Sequence, residues 1–184
     1  MPRLFFALWP DPSTRSALAN TGSQFSLTDG RRVPAENLHL TMAFVGNVDD
    51  AAATEALAAG AAASAAADPF ELSITGSGHR VRSGMLWLRP AAVPAPLLAL
   101  REALEAALAA RNLPTERRPF RPHVTLARKV TTAPPERPAF DIRWSVRELA
   151  LVASATPPEG ARYTPVRFWP LAGTASHDTA PGAA

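Results

Sequence analysis

Residues 37–46 read Asn37-Leu38-His39-Leu40-Thr41-Met42-Ala43-Phe44-Val45-Gly46, and this stretch decides the fold class. Its apolar pattern has period two. Leu38, Leu40, Met42 and Phe44 fall on one face, and His39, Thr41 and Ala43 fall on the other. Such alternation predicts a half-buried strand that ends at Gly46. Residues 121–128 repeat the pattern as Arg121-Pro122-His123-Val124-Thr125-Leu126-Ala127-Arg128. There Pro122, Val124 and Leu126 share one face, and His123, Thr125 and Ala127 share the other.

Outward from these two strands the chain mixes helices with further strands. Residues 3–9 are apolar on both faces, which predicts an interior strand. Asp11-Pro12-Ser13 starts a helix with Ser13 as its N-cap, running to about Phe25. Asp49 or Asp50 caps an alanine-rich helix to about Ala67, whose only large apolar residue is Leu57, so thin packing is expected. Leu72 and Ile74 mark a short strand, and Gly76-Ser77-Gly78 with Ser83-Gly84 brackets a loop or hairpin. Met85 to Arg89 forms the next strand. In the helix after Pro94 and Pro96, Leu97, Leu100, Leu104 and Leu108 line one face. Residues 131–138 read as a surface loop. Strands are expected at 142–146, 149–153 and 163–169, with a proline-glycine loop at Pro157, Pro158 and Gly160 before the last. The fold class is therefore α+β with largely antiparallel pairing.

The length of 184 residues fits one domain over residues 1–172. Residues 173–184 are small and polar and are expected to form a flexible tail that includes His177, to which no role is assigned. The chain has no cysteine, which excludes disulfides, thiolate metal sites, iron–sulfur clusters and a cysteine nucleophile. It also lacks the best sign of a secreted life, so a reducing, cytoplasmic setting is expected. No apolar run reaches the 18 or so residues of a membrane span, and the start reads as a folded strand rather than a signal peptide. The net charge is +3, with the basic side almost entirely arginine. That permits an anionic ligand, since the guanidinium fork pairs with phosphate at two points.

Two of the four histidines stand in a His-x-Thr-x unit, although threonine is only 14 of 184 residues. On a strand, positions i and i+2 point to one side, so each unit sets an imidazole beside a hydroxyl opposite its core residues. Two such strands side by side would gather two imidazoles and two hydroxyls around one cavity. This set suits a phosphodiester. A neutral imidazole can take a proton from water, and a charged one can give a proton to the leaving alkoxide. The hydroxyls can donate to the phosphoryl oxygens. The proton work needs neither metal nor cofactor, and none is expected. A single His-x-Thr on a strand is more often structural; the duplication favours function. Two histidines 84 positions apart with no third ligand at metal spacing make a poor zinc site.

These two units, in one short α+β chain, resemble the 2H phosphoesterase superfamily. The phrase from Arg32 to Gly46 is similar to the first motif region of its bacterial RNA 2′,3′-cyclic phosphodiesterase branch, the LigT-like or 2′-5′ RNA ligase family. Phe120 to Arg128 is similar to the second, and Leu4-Phe5-Phe6-Ala7-Leu8 and Met85-Leu86-Trp87-Leu88 also fit. The resemblance implies two pseudo-symmetric lobes, each an antiparallel sheet backed by helices, around a central cleft. It implies opening of an RNA 2′,3′-cyclic phosphate end to a 2′-phosphate, and joining to a 5′-hydroxyl end through a 2′-5′ linkage. His39 would then be the proton donor to the 3′ oxygen and His123 the base that activates water. Thr41 and Thr125 would bind the phosphate. Arg128 matches a basic position near the substrate, but its odd offset from His123 puts it on the cleft face only if the strand ends or bulges there.

The expected partner is RNA with a cyclic phosphate end, tRNA fragments among the candidates, bound by a monomer away from any membrane. His79 stands where the family often has an aromatic residue; it reads as a solvated loop histidine, with a base-stacking or phosphate-touching side chain at the cleft rim as the alternative. Arg31, Arg32, Arg80, Arg82, Arg117, Arg118 and Arg121 could steer RNA by charge, two or three of them at most. Trp87, Trp144 and Trp169 read as core. The rival functions are a ligase with the same active site, a non-catalytic RNA-binding module and a 2H enzyme for a small cyclic nucleotide. No Gly-rich lysine loop of the ATP-binding type is present.

Overall fold

A computed structural model describes residues 3–116, 118–135, 137–155, 157 and 161–172. The expected tail at 173–184, His177, Arg117 and most of the Pro157–Gly160 loop lie outside the described residues. The elements in chain order are β1 (Arg3–Leu8), α1 (Pro12–Ser23), β2 (Arg31–Arg32), β3 (Leu40–Asn47), α2 (Asp50–Ala65), β4 (Phe70–Arg80), β5 (Met85–Pro90), α3 (Ala95–Ala109), β6 (Val124–Arg128), β7 (Ile142–Val146), β8 (Glu148–Ala155) and β9 (Arg162–Pro170). The strands form one sheet in the order β7-β4-β5-β6-β3-β1-β8-β9, with β2 beside β6. Every pair is antiparallel.

The order has a centre. From β3 outward run β1, β8 and β9; from β6 outward run β5, β4 and β7. The two half-sheets join at one residue pair, Leu40 with Val124, which are the central residues of the two His-x-Thr units. The expected α+β architecture of two related halves is therefore present, with the halves continuous through that pair. The helices cover the opposite face from the histidines and close the main core there. Leu97, Leu100, Leu104 and Leu108 of α3 are fully buried, as their spacing predicts. In α2 the buried face is Ala56, Ala59, Gly60 and Ala63, and Leu57 points to solvent. Small residues do not make this packing thin. They let the helix backbone settle on large rings: a Cβ at Gly60 would stand 2.6 Å from the Trp169 ring and 2.9 Å from Phe6. Trp144 is core, as expected.

Several local expectations shift. The α1 cap is Asp11, not Ser13; its carboxylate accepts from the backbone N–H of Ser13 and Thr14 at 2.9 and 3.0 Å. Pro12 occupies the first turn, where a missing N–H costs nothing. Bonds from the Ser13 and Thr14 side chains, with the cap bonds, hold the Asp11 carboxyl well below the usual carboxylate range. Asp49 caps α2 by accepting from Ala52 N–H at 2.8 Å. Of the loop or hairpin expected at Gly76-Ser77-Gly78 and Ser83-Gly84, the hairpin is present, and residues 76–80 are strand. They extend β4, where glycines accept the large side chains of β5 lying across them.

Candidate active site

The pairing of Leu40 with Val124 fixes the site. In that register His39 lies across from Thr125 and Thr41 across from His123, all four facing away from the main core. Both histidines sit one residue before their strands begin, so each ring is held by its own chain rather than by the sheet ladder. The two anchors are alike. His39 Nδ1–H donates to the Asn37 carbonyl at 2.7 Å, and His123 Nδ1–H donates to the Arg121 carbonyl at 2.7 Å. A carbonyl oxygen can only accept, so Nδ1 carries a proton in both rings and Nε2 is the atom left for chemistry. Thr41 Oγ1 lies 3.1 Å from His39 Nε2, and Thr125 Oγ1 lies 3.8 Å from the Met85 sulfur.

The strict alternation read from the sequence breaks at the same place in both units. In β3, Thr41 pairs with Ala7 and Ala43 with Phe6, leaving Met42 without a partner. In β6, Thr125 pairs with Trp87 and Ala127 with Leu86, leaving Leu126 without one. These are β-bulges, each three residues after the histidine. A bulge reverses the inside–outside sense of the residues beyond it. Met42 and Ala43 are therefore both in the core, as are Leu126 and Ala127. The fifth residue after each histidine returns to the cleft face. That residue is Phe44 in one half, which is exposed rather than core as the alternation predicted. In the other half it is Arg128. The condition on which Arg128 reaches the cleft is thus met, and its charge is felt at His39.

The two rings differ in surroundings. His39 is enclosed by Trp9, stacked at 5.6 Å and 12°, by Phe5 at 5.0 Å and by the edge of Tyr163 at 5.1 Å. Phe5 and Ala7, with Ala150 and Val152, form a small apolar cluster on this face, against which Trp9 and Tyr163 pack. Burial there pushes the His39 imidazole down to about 4 despite its bond to the Asn37 carbonyl, and the nearby Arg128 and His123 add to the effect. Asn37 also donates its side-chain N–H to the Ala161 carbonyl at 2.9 Å, tying the His39 anchor to the start of β9. Among the described residues His123 has one aromatic neighbour, Trp87, edge-on at 6.3 Å.

The segment after Arg128 is clamped. Val130 N–H donates to the Gly84 carbonyl at 3.0 Å, and His79 Nε2–H donates to the Val130 carbonyl at 2.9 Å. Asp29 accepts from Thr131 N–H at 2.9 Å and from the Thr131 hydroxyl. Those bonds hold the Asp29 carboxyl below its ordinary value. Lys129 has φ 58°, and Gly30, at φ +82°, leaves room for the Arg128 carbonyl, 2.7 Å from where a Cβ would be. His79 is therefore neither a loop histidine nor a cleft-rim group. It pairs with Leu86 on the core-facing side of the sheet, and its bond holds the turn after Arg128.

The arginines separate by their partners. Arg32 donates to the Gly22 and Phe25 carbonyls and caps the end of α1, and Arg118 pairs with Glu116. Arg31, Arg80, Arg82 and Arg121 are exposed. Trp169 covers α2, whereas Trp87 is half-buried on the cleft face rather than in the core. Among the described residues, no three acidic or histidine side chains come together as metal ligands, and no helix is long and apolar enough to cross a membrane. The sequence reading missed Trp9, Phe5, Asn37 and Tyr163 as the setting of His39. The apolar character of both faces of β1 was the available signal for Phe5; Tyr163 had none, because only the β8–β9 pairing brings it near.

The family model of the 2′-5′ RNA ligase superfamily matches residues 15–157, which include both histidine units. The chain belongs to this superfamily. It is 34% identical over 174 residues to the RNA 2′,3′-cyclic phosphodiesterase of Escherichia coli K12, covering 92% of this chain and 96% of that one. With the Thermus thermophilus protein of the same description it shares 31% over 190 residues, 98% of this chain and 96% of that one. Among solved structures, E. coli LigT complexed with 3′-AMP superposes at a TM-score of 0.81 with 32% identity, covering 93% of this chain and 99% of that one. The MHV ns2 PDE domain, at TM-score 0.58 and 14% identity over 83% of this chain and 98% of that one, shares the fold alone. The LigT-like, 2H phosphoesterase identity expected from the two motifs thus holds for the chain.

Proposed function

We propose that this protein opens the 2′,3′-cyclic phosphate at an RNA 3′ end to a 2′-phosphate by acid–base catalysis between His39 and His123. The observation that carries the reading is the Leu40–Val124 pair, which sets two anchored imidazoles and two threonine hydroxyls on one face, crosswise. The family supports the same chemistry, since its E. coli and T. thermophilus relatives carry that activity in their names. His123 Nε2 takes a proton from water as the oxygen attacks phosphorus. The bond from phosphorus to the 3′ oxygen breaks, and that oxygen takes its proton from His39 Nε2. Thr41, Thr125 and Arg128 hold the phosphoryl oxygens as charge grows there.

His39 is neutral in the empty site at neutral pH, because its burial holds it near 4. The phosphodiester brings a negative charge next to it and next to Arg128. That charge favours the protonated imidazole against the push of burial and, second to it, of the positive neighbours, so His39 gains its proton with the substrate. Residues 1–172 act as one two-lobed domain, as a monomer in the cytoplasm, with all site groups drawn from one chain.

The test is to incubate the protein, with EDTA present, with a short RNA ending in a 2′,3′-cyclic phosphate and to identify the product. A 2′-phosphate end that disappears with His123→Ala is expected. A 3′-phosphate product would reverse the assigned leaving group, and no turnover of any cyclic phosphate would leave a binding role.

A further inference from the structure

We propose that Trp87 and Arg89 form a platform for the nucleotide that presents an attacking 5′-hydroxyl, on the His123 side of the phosphate. This rests on the roles given above, which place the attacking oxygen beside His123 and the departing 3′ oxygen, with its nucleoside, beside His39. Trp87 pairs directly with Thr125 and turns its ring edge to His123 at 6.3 Å. Its other strand partner is Gly78. A Cβ at Gly78 would stand 2.5 Å from Cε2 and 2.8 Å from Nε1 of the indole, so the glycine lets the ring lie down across β4. The arrangement repeats two residues on. Arg89 pairs with Gly76, and a Cβ there would meet Arg89 Cγ at 3.1 Å and Cζ at 3.3 Å. Two glycines thus hold an indole and a guanidinium low against the sheet, side by side on the cleft face.

Packing does not account for both side chains. Trp87 is only half-buried and Arg89 is exposed; the Arg89 guanidinium makes one long bond, to the Pro90 carbonyl at 3.5 Å, and none of the ion pairs among the described residues uses it. An aromatic face with a cation beside it is the usual floor for a single-stranded nucleotide, because every base has a π-face and every link carries a phosphate. The ring stacked on His39 is Trp9, itself covered by Arg15 at 6.0 Å. The halves are therefore unequal: the His123 side has an aromatic floor within reach of an incoming nucleotide. With a 5′-hydroxyl end on that floor, its oxygen bonds to phosphorus and its proton goes to His123. The 3′ oxygen leaves with the proton of His39, and a 2′-5′ phosphodiester results.

The test uses a 5′-hydroxyl dinucleotide with a plain 3′-hydroxyl, which the protein cannot turn over, titrated while the four indole N–H signals are followed by NMR. The Trp87 signal, assigned with Trp87→Phe, is expected to move. Binding should weaken about tenfold or more in Trp87→Ala and be largely kept in Trp87→Phe. Arg89→Gln should weaken it roughly threefold and lower the slope of affinity against salt by about 0.7. Wild-type-like binding in Trp87→Ala overturns the platform. So does a rise in KM for a lone nucleoside 2′,3′-cyclic phosphate as large as the loss of dinucleotide binding, since the ring would then hold the cyclic nucleotide instead. If the wild type hydrolyses no cyclic phosphate, the proposed reaction fails; movement of the Trp87 signal would then support the platform as a binding site alone.

Discussion

His39 and His123 have the same anchor, the same hydroxyl two residues on and the same bulge three residues on, yet they sit in different solvents. The His39 ring is walled by Trp9, Phe5 and Tyr163, whereas among the described residues Trp87 is the one aromatic ring against His123. Backbone geometry is duplicated, and the side chains around it are not. The difference teaches how one motif used twice can serve two proton-transfer roles. The strand and its bulge fix where Nε2 points, and the neighbouring strands fix how readily it is charged.

The comparison breaks most severely if either imidazole is removed. His39→Ala and His123→Ala should each lower turnover by about 10²–10⁴ with the fold intact by circular dichroism. A near-wild-type rate in either would leave only one histidine in the chemistry. The inequality of the two environments has its own test in stability against pH. An ordinary histidine titrates at 6.5 and folded His39 near 4, so between those values the unfolded chain holds more protons. Stability from this group is complete above about pH 6.5 and declines as pH falls toward 4, by about 3 kcal/mol in all. Denaturant unfolding should show that decline, and His39→Gln should flatten it. An equal slope in both proteins would mean that His39 is not shielded. By NMR, a nucleoside 2′-phosphate should raise the His39 pKa; an unchanged value would remove substrate-linked proton uptake.

Smaller effects sharpen the same contrast. Thr41→Ala and Thr125→Ala should each lower kcat by up to about 10². Thr41→Ala should cost more, because the Thr41 hydroxyl also touches His39 Nε2, whereas the Thr125 hydroxyl lies against the Met85 sulfur. Equal losses would assign both hydroxyls to the phosphate alone. Smallest of all is Asp29→Ala. It should leave the unfolding midpoint nearly unchanged, since the carboxylate lies at the surface, and reduce activity a few-fold by loosening the turn after Arg128. An unchanged kcat/KM would detach that clamp from catalysis.

Much of this was legible in the sequence because the signals were local. The i, i+2 spacing of His39 with Thr41 and of His123 with Thr125, and the leucine spacing of α3, each report one element's own faces. The bulges were not legible. An extra residue at Met42 or Leu126 leaves no mark in a run of apolar side chains, yet it decides that Phe44 leaves the core and that Arg128 enters the cleft. At Gly76 and Gly78 the sequence leaves loop and hairpin both open, since the rings and stems of β5 that fill their empty places lie on another strand. The burial of His39 was hidden for the same reason: Tyr163 stands 124 positions away in the chain.

That distance bears on the order in which the molecule assembles. The half-sheet of His123 is drawn from residues 70–146, apart from the short β2, whereas the half of His39 combines β1 and β3 with β8 and β9. Contacts between nearby stretches close early, and those that span most of the chain close late, because each must first overcome the entropy of a long loop. During synthesis the His123 half can pair while β8 and β9 are still unmade. The Ala161 carbonyl that holds Asn37, and the Tyr163 ring that shields His39, arrive with the last strand. Reactivity is thus the final property the chain is expected to acquire, withheld until both ends of the sequence have met across the sheet.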